Sequence, residues 1–130
     1  MQPNADKPSI CLIADSDQFI ASLIIRFAEG SGLAWVRAKD GEDVLTLTRQ
    51  INPQVIILDA EFPGDMLGWE IMRILKSDKD TRHIALISCS WLSEQEVRSL
   101  AGNLTGYLQK PDIPYSDFEK AMRAAGVVSS

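Results

Sequence analysis

The sequence predicts an α/β protein of three layers, a five-stranded parallel sheet doubly wound with helices on both faces. Three observations predict it. Five short apolar runs alternate with five segments whose apolar residues recur at the three-and-four spacing of a helix face. No repeat or internal linker interrupts the alternation, and 130 residues suit one domain. Finally, Val55-Ile56-Ile57-Leu58 has no polar alternation, the mark of a strand buried on both faces, and it ends in Asp59. Pro63 and Gly64 prevent the strand from continuing.

Each element has its own signal. Residues 1–8 are polar, lack the apolar centre of a signal peptide, and read as a flexible segment. Ile10–Ala14 is a first buried strand, ended by Asp15-Ser16-Asp17. Ile20, Leu23, Ile24, Phe27 and Ala28 share the face of a first helix, closed by Gly30 and Gly32. Ala34–Ala38 is a short second strand. Val44, Leu47, Thr48 and Ile51 form a second helix face, stopped by Asn52-Pro53. After the strand to Asp59, a third helix carries Gly68, Ile71, Met72 and Leu75. Ile84–Ser90 is the fourth strand, and Ser93-Glu94-Gln95-Glu96 is a capping box opening a fourth helix. Gly106–Gln109 is the last strand, ended by Lys110-Pro111. Pro114 and a second capping box, Ser116 to Glu119, start a final helix burying Phe118, Ala121, Met122 and Ala125. The domain spans residues 9–125, and 126–130 read as a tail.

Composition narrows the functions. The net charge is −5 and Lys and Arg are scattered, so direct nucleic-acid binding is not expected. No apolar run approaches the roughly 20 residues that cross a bilayer, so no membrane insertion is expected and the expected location is cytoplasmic. Cys11 and Cys89 sit in apolar strands without a metal-binding neighbour and read as small hydrophobes. His83 is the single histidine, which leaves almost nothing to build a histidine-based triad or zinc site with, and it reads as a surface residue.

Right-handed crossovers place every strand's carboxyl end on one edge of the sheet. That edge gathers Asp15 with Asp17, then Asp59, then Ser90 or Ser88, then Lys110. Carboxylates brought together need a cation, and oxygen-only ligands select a hard ion such as Mg²⁺. A nearby ammonium and hydroxyl offer contacts for phosphoryl oxygens, and a carboxylate can itself be the nucleophile in phosphoryl transfer. Each residue also has a plainer reading. Asp17 or Ser16 would cap the first helix, Asp15 would be a turn residue, Ser90 a cap, and Lys110 a solvated cation. Their meeting at the ends of separate strands favours the chemical reading.

The whole set resembles the receiver domain of two-component response regulators (CheY-like), from Ile10 to about Ala125. The resemblance rests on Asp15 after the first strand, Leu58-Asp59-x-x-Phe62-Pro63, the hydroxyl after the fourth strand, and Gly106-Tyr107-Leu108-Gln109-Lys110-Pro111. It implies the flavodoxin-like strand order 2-1-3-4-5 and phosphorylation of Asp59 by a histidine kinase or phosphotransfer protein. It further implies Mg²⁺ held by Asp15, Asp59 and the backbone carbonyl of Glu61, with Asp17 as a further candidate ligand. Lys110 and Ser90 would bind phosphoryl oxygens, and Lys110-Pro111 would be cis. Ser90 and Tyr107 would form a switch that alters the face of the fourth helix, last strand and fifth helix. That face would meet a downstream effector or a second copy of the chain. Tyr107 also has a plain reading as an aromatic at the sheet edge.

Four positions depart from the family pattern. Ala14 stands where a second acid is usual, and the loop after Asp59 is one residue longer, with Asp65-Met66 in place of Met-Asp. Trp91 follows Ser90 where a small residue is usual, and Asp112 replaces an aromatic. Two functions follow: a phosphoacceptor receiver, or a degenerate receiver acting as a phosphorylation-independent interaction module. In neither is the chain an enzyme, beyond self-catalysed phosphoryl transfer and slow autodephosphorylation. A flavodoxin-like cofactor binder would need a glycine- or hydroxyl-rich phosphate loop after the first strand, which is missing.

Overall fold

Apolar runs with no exposed alternate face must be covered on both sides, and the chain does this by stacking ten elements into three layers. The structure is a computed structural model describing residues 9–127. The flexible segment expected at residues 1–8 and the last three residues of the expected tail lie outside the described residues. The strands are β1 (Ile10–Ala14), β2 (Ala34–Arg37), β3 (Val55–Leu58), β4 (Ala85–Ser90) and β5 (Gly106–Gln109). Between and after them run α1 (Gln18–Gly30), α2 (Gly41–Ile51), α3 (Gly68–Ser77), α4 (Glu94–Ala101) and α5 (Tyr115–Ala124). All strand pairs are parallel, in the order β2-β1-β3-β4-β5.

Two apolar clusters flank the sheet because alternate residues of each strand point to opposite faces. Cys11, Ile13, Ile57, Ile87 and Cys89 face α1 and α5, packing on Ile20, Ile24, Phe118 and Met122. Leu12, Ile56, Leu58 and Leu86 face α2, α3 and α4, packing on Val44, Ile71, Met72, Leu75 and Val97. Both cysteines are free and buried, on strands separated by β3, and burial pushes each thiol up to about 12. They are packing residues, as their setting predicts.

The helix ends carry the remaining detail. The Ser93–Glu96 capping box forms as predicted: Ser93 Oγ accepts the Glu96 N–H at 3.1 Å, and Glu96 returns a bond to Ser93 N–H at 2.9 Å. The second capping box does not form. Pro114 occupies the cap position at φ −64°, and its carbonyl accepts the N–H groups of Asp117 and Phe118 at 3.0 and 3.2 Å. The helix therefore starts at Tyr115, and Ser116 falls inside its first turn. At the other end, Gly126 at φ +75° lets Val127 N–H reach back to Met122 C=O at 3.1 Å. Part of the expected tail is thus a helix-ending motif, and Val127 packs on the α1 and α5 cluster.

Candidate functional site

The parallel sheet brings the carboxyl ends of β1, β3, β4 and β5 together, and with them Asp15, Asp59, Ser90 and Lys110. Their side chains point inward, leaving Asp15, Asp59 and Lys110 only 3%, 6% and 5% exposed. Charges buried to this degree require partners. Lys110 Nζ donates to Asp59 Oδ2 at 2.9 Å and to Asp15 Oδ1 at 3.1 Å. The other oxygen of Asp59, Oδ1, accepts the Glu61 N–H at 2.8 Å, and Asp15 Oδ1 also accepts the Asp17 N–H at 2.9 Å. Main-chain bonds hold the frame. Asp59 N–H donates to Ala14 C=O at 3.0 Å, and Lys110 N–H to Ser90 C=O at 2.9 Å. The Lys110-Pro111 peptide is cis.

One buried oxygen is left over. Asp15 Oδ2 lies 3.0 Å from Lys110 Nζ but outside hydrogen-bonding geometry, and no other donor reaches it among the described residues. One ammonium between two carboxylates also leaves the cluster one negative charge in excess. Burial raises the Asp15 carboxyl above its ordinary value, a rise opposed by the Asp17 N–H bond and Lys110 and reinforced by Asp59. For Lys110, burial alone would lower the ammonium, but its bonds to Asp59 and Asp15 outweigh that and raise it.

An orphaned carboxylate oxygen, excess negative charge and an all-oxygen donor set fit a hard divalent cation. The side chains that could hold Mg²⁺ here are Asp15 and Asp59, and the main-chain carbonyl of Glu61 is the third ligand that the family resemblance implies. Among the described residues no cluster of three His, Cys, Asp or Glu side chains is placed to hold a metal. Ala14, beside Asp15, is fully buried in the apolar cluster with Leu12, Ala38, Val44 and Leu58.

A pH dependence follows. A carboxyl whose folded pKa is raised contributes stability that is present below its unfolded pKa and lost as pH rises through the folded value. Mg²⁺ should offset that loss by neutralising Asp15, so its stabilising effect should be larger at about pH 8 than at about pH 5. Urea unfolding with Mg²⁺ or with chelator at the two pH values checks this; equal effects would contradict it.

The other expected residues are also placed. Ser90 ends β4, fully buried, with Oγ accepting the Leu92 N–H at 3.1 Å. Ser88 lies two residues inside the strand, in register with Leu58 and Tyr107. Asp17 caps α1, its Oδ1 accepting the Phe19 and Ile20 N–H groups at 2.9 and 3.2 Å. Tyr107 is half-buried; its hydroxyl accepts the Leu104 N–H at 2.9 Å, and the Arg98 guanidinium lies 5.0 Å from its ring centre. Trp91 is 56% exposed at the rim.

Two contributors escaped sequence reasoning. Gly68 opens α3 against the loop after β3, where a Cβ would lie 1.8 Å from the Asp59 carbonyl oxygen. The clue was a glycine in the first turn of a predicted helix. Arg37, ending β2, donates to the Asp15 carbonyl at 2.9 Å and to Gln18 Oε1 at 2.7 Å. The clue was a basic residue at a strand's carboxyl end.

A doubly wound sheet in this strand order, with two acids and a lysine at its carboxyl edge, is the architecture of a response-regulator receiver domain. The response regulator receiver domain profile matches residues 11–121, and the chain belongs to that family. It is 28% identical over 106 residues to the polar-differentiation response regulator DivK of Brucella anthropi, covering 80% of this chain and 85% of that protein. The fold is similar to the chemotaxis response regulator CheY4 of Vibrio cholerae (TM-score 0.78, 21% identity, 90% of this chain and 98% of that one). It is also similar to the receiver domain of the sensor histidine kinase PA1611 of Pseudomonas aeruginosa, which has a magnesium ion coordinated in its active site cleft. There the TM-score is 0.79 at 16% identity, covering 92% of this chain and 98% of that one.

Proposed function

We propose that this receiver domain accepts a phosphoryl group on Asp59 and passes the change to a partner-binding face. The observation that supports it most is the pairing of Lys110 with both Asp59 and Asp15 at the carboxyl edge of the sheet. A nucleophilic carboxylate needs an adjacent cation to hold the incoming phosphoryl oxygens, and Lys110 is fixed beside it. An Asp59 carboxylate oxygen attacks phosphorus as the bond to the donor's imidazole nitrogen breaks, and that nitrogen keeps the electron pair and takes a proton. Lys110 and the Ser90 hydroxyl bind the transferred oxygens, and the Glu61 N–H orients the carboxylate. Mg²⁺, held by Asp15, Asp59 and the Glu61 carbonyl, would neutralise charge on the transferred group.

The donor is a histidine kinase or phosphotransfer protein, and the setting is cytoplasmic; among the described residues no helix is long and apolar enough to cross a membrane. Receiver domains are signalling modules, and turnover here is limited to self-catalysed transfer and slow autodephosphorylation. The output surface is the groove between α4, β5 and α5, a cavity of about 380 Å³ lined by Arg98, Tyr107 and Lys120 among others. Movement of Ser90 toward the phosphoryl group and of Tyr107 away from Leu104 would reshape it for an effector or a second copy.

Intact-mass measurement after incubation with Mg²⁺ and acetyl phosphate tests the reading. The expected result is one phosphoryl adduct that requires Mg²⁺. Without an adduct, and without a Mg²⁺-dependent change in tryptophan fluorescence, the chain is instead a phosphorylation-independent interaction module.

A further inference from the structure

We infer that Arg37 is a positioning residue for the acidic pocket: from the end of the edge strand it holds the main chain at Asp15 and the start of α1, and so fixes where the Asp15 carboxylate points. The inference deepens the phosphoacceptor reading, on which its consequence for phosphoryl transfer rests.

The geometry is a brace across three elements. Arg37 is paired with Ile13 in the β1–β2 register, so its side chain leaves the sheet on the α1 side. One guanidinium nitrogen, Nη2, donates to the Asp15 carbonyl at 2.9 Å, and the other, Nη1, donates to Gln18 Oε1 at 2.7 Å. Asp15 and Gln18 bound a link of two residues, Ser16 and Asp17, both exposed. Within that link the Asp17 N–H donates to Asp15 Oδ1 at 2.9 Å, which sets the carboxylate's rotation. Arg37 therefore clamps both ends of the segment whose middle orients Asp15.

A plain surface role accounts poorly for this placement. Arg37 is half-buried, yet it makes no ion pair among the described residues. Both of its donors go to neutral oxygens, the Asp15 carbonyl and the Gln18 amide, rather than to the Asp17 carboxylate that caps α1. That choice follows if the planar two-donor fork is what the position requires. Ala14 makes the demand sharper. With a methyl group in place of a second acid, Asp15 is the only carboxylate that β1 brings to Lys110 and Asp59, and its misorientation has no substitute.

Arg37→Met keeps the aliphatic stem and removes both donors, whereas Arg37→Lys keeps the charge and one donor. The readouts are hydrogen exchange at the Asp17 amide, with Ile57 in β3 as internal control, and Mg²⁺ binding followed by tryptophan fluorescence. In Arg37→Met the Asp17 amide should exchange faster and Mg²⁺ should bind about tenfold more weakly, the scale on which partners of a metal ligand act. The Ile57 amide should be unchanged, and Arg37→Lys should recover part of both effects. An unchanged Asp17 amide in Arg37→Met overturns the inference. So does acceleration of Asp17 and Ile57 by the same factor, which is general destabilisation. If the wild type takes no phosphoryl group while Asp17 still responds, the phosphoacceptor reading falls and the positioning role stands.

Discussion

Replacing Lys110 by Met should cost about 3–5 kcal/mol of folding stability at neutral pH without Mg²⁺, the range for removing one partner from a buried ion pair. Lys110 Nζ lies 2.9 Å from Asp59 Oδ2 and 3.0 Å from Asp15 Oδ2, and no other cation pairs with either acid among the described residues. Once it is gone, two buried carboxylates face each other and, among the described residues, only the Asp17 and Glu61 N–H groups hold them. Methionine matches the length of the stem, so packing changes little and the loss is electrostatic. Two remedies should each restore part of it. Acid should help, because the Asp15 carboxyl, whose folded pKa burial raises, destabilises only when the pH is above its unfolded pKa. Saturating Mg²⁺ should help as well. Urea denaturation at about pH 5 and about pH 7.5, with and without Mg²⁺, gives the four values required. A loss below about 1 kcal/mol in chelator, the scale of exposed pairs, would mean that solvent reaches this triad.

Gly68→Ala should be nearly as damaging, although helix propensity alone favours it. Alanine in a helix interior is about 1 kcal/mol better than glycine, which bounds the gain at Gly68, the first residue of α3. Against that gain, the added methyl would lie 1.8 Å from the Asp59 carbonyl oxygen and 2.9 Å from the Ala60 carbonyl carbon. These are main-chain atoms in a loop tied by Phe62 N–H to Asp59 C=O and Trp69 N–H to Ala60 C=O, both at 2.9 Å. No side chain can swing aside, so the net cost should reach about 3 kcal/mol, the upper end for overpacking. Phosphorylation should fail as well, because the displaced segment carries both Asp59 and the Glu61 N–H. Gly30→Ala is the control: it ends α1 with no described residue within 4 Å of the added methyl, and it should be neutral or slightly stabilising. Thermal unfolding of the pair checks both. Equal melting temperatures would contradict the close-approach argument.

The contrast between these glycines shows what the sequence makes legible. Strands such as Val55–Leu58 are readable because burial on both faces leaves no polar alternation, and right-handed crossovers then bring Asp15, Asp59 and Lys110 to one edge. Side-chain contacts across that edge are set by tertiary distance, which no local pattern encodes. Gly68 reads as an ordinary face residue until α3 is laid against the Asp59 loop, and Arg37 reads as one scattered cation until β2 lies beside β1. Local chemistry misleads at Ser116, where Ser-x-x-Glu matches a capping box but Pro114 had already begun the helix. Asp17 illustrates the opposite case, since its two open readings were metal ligand and helix cap, and its carboxylate accepts two N–H groups at the start of α1.

On the proposed function, the Asp59 carboxylate becomes an acyl phosphate. Reducing the acetyl phosphate-treated protein with borohydride converts an aspartyl phosphate to homoserine, and peptide mass mapping then shows which residue was modified. The expected result is homoserine at position 59, dependent on Mg²⁺ and absent from Asp59→Asn. Homoserine at another carboxylate, or an adduct that persists in Asp59→Asn, would contradict it.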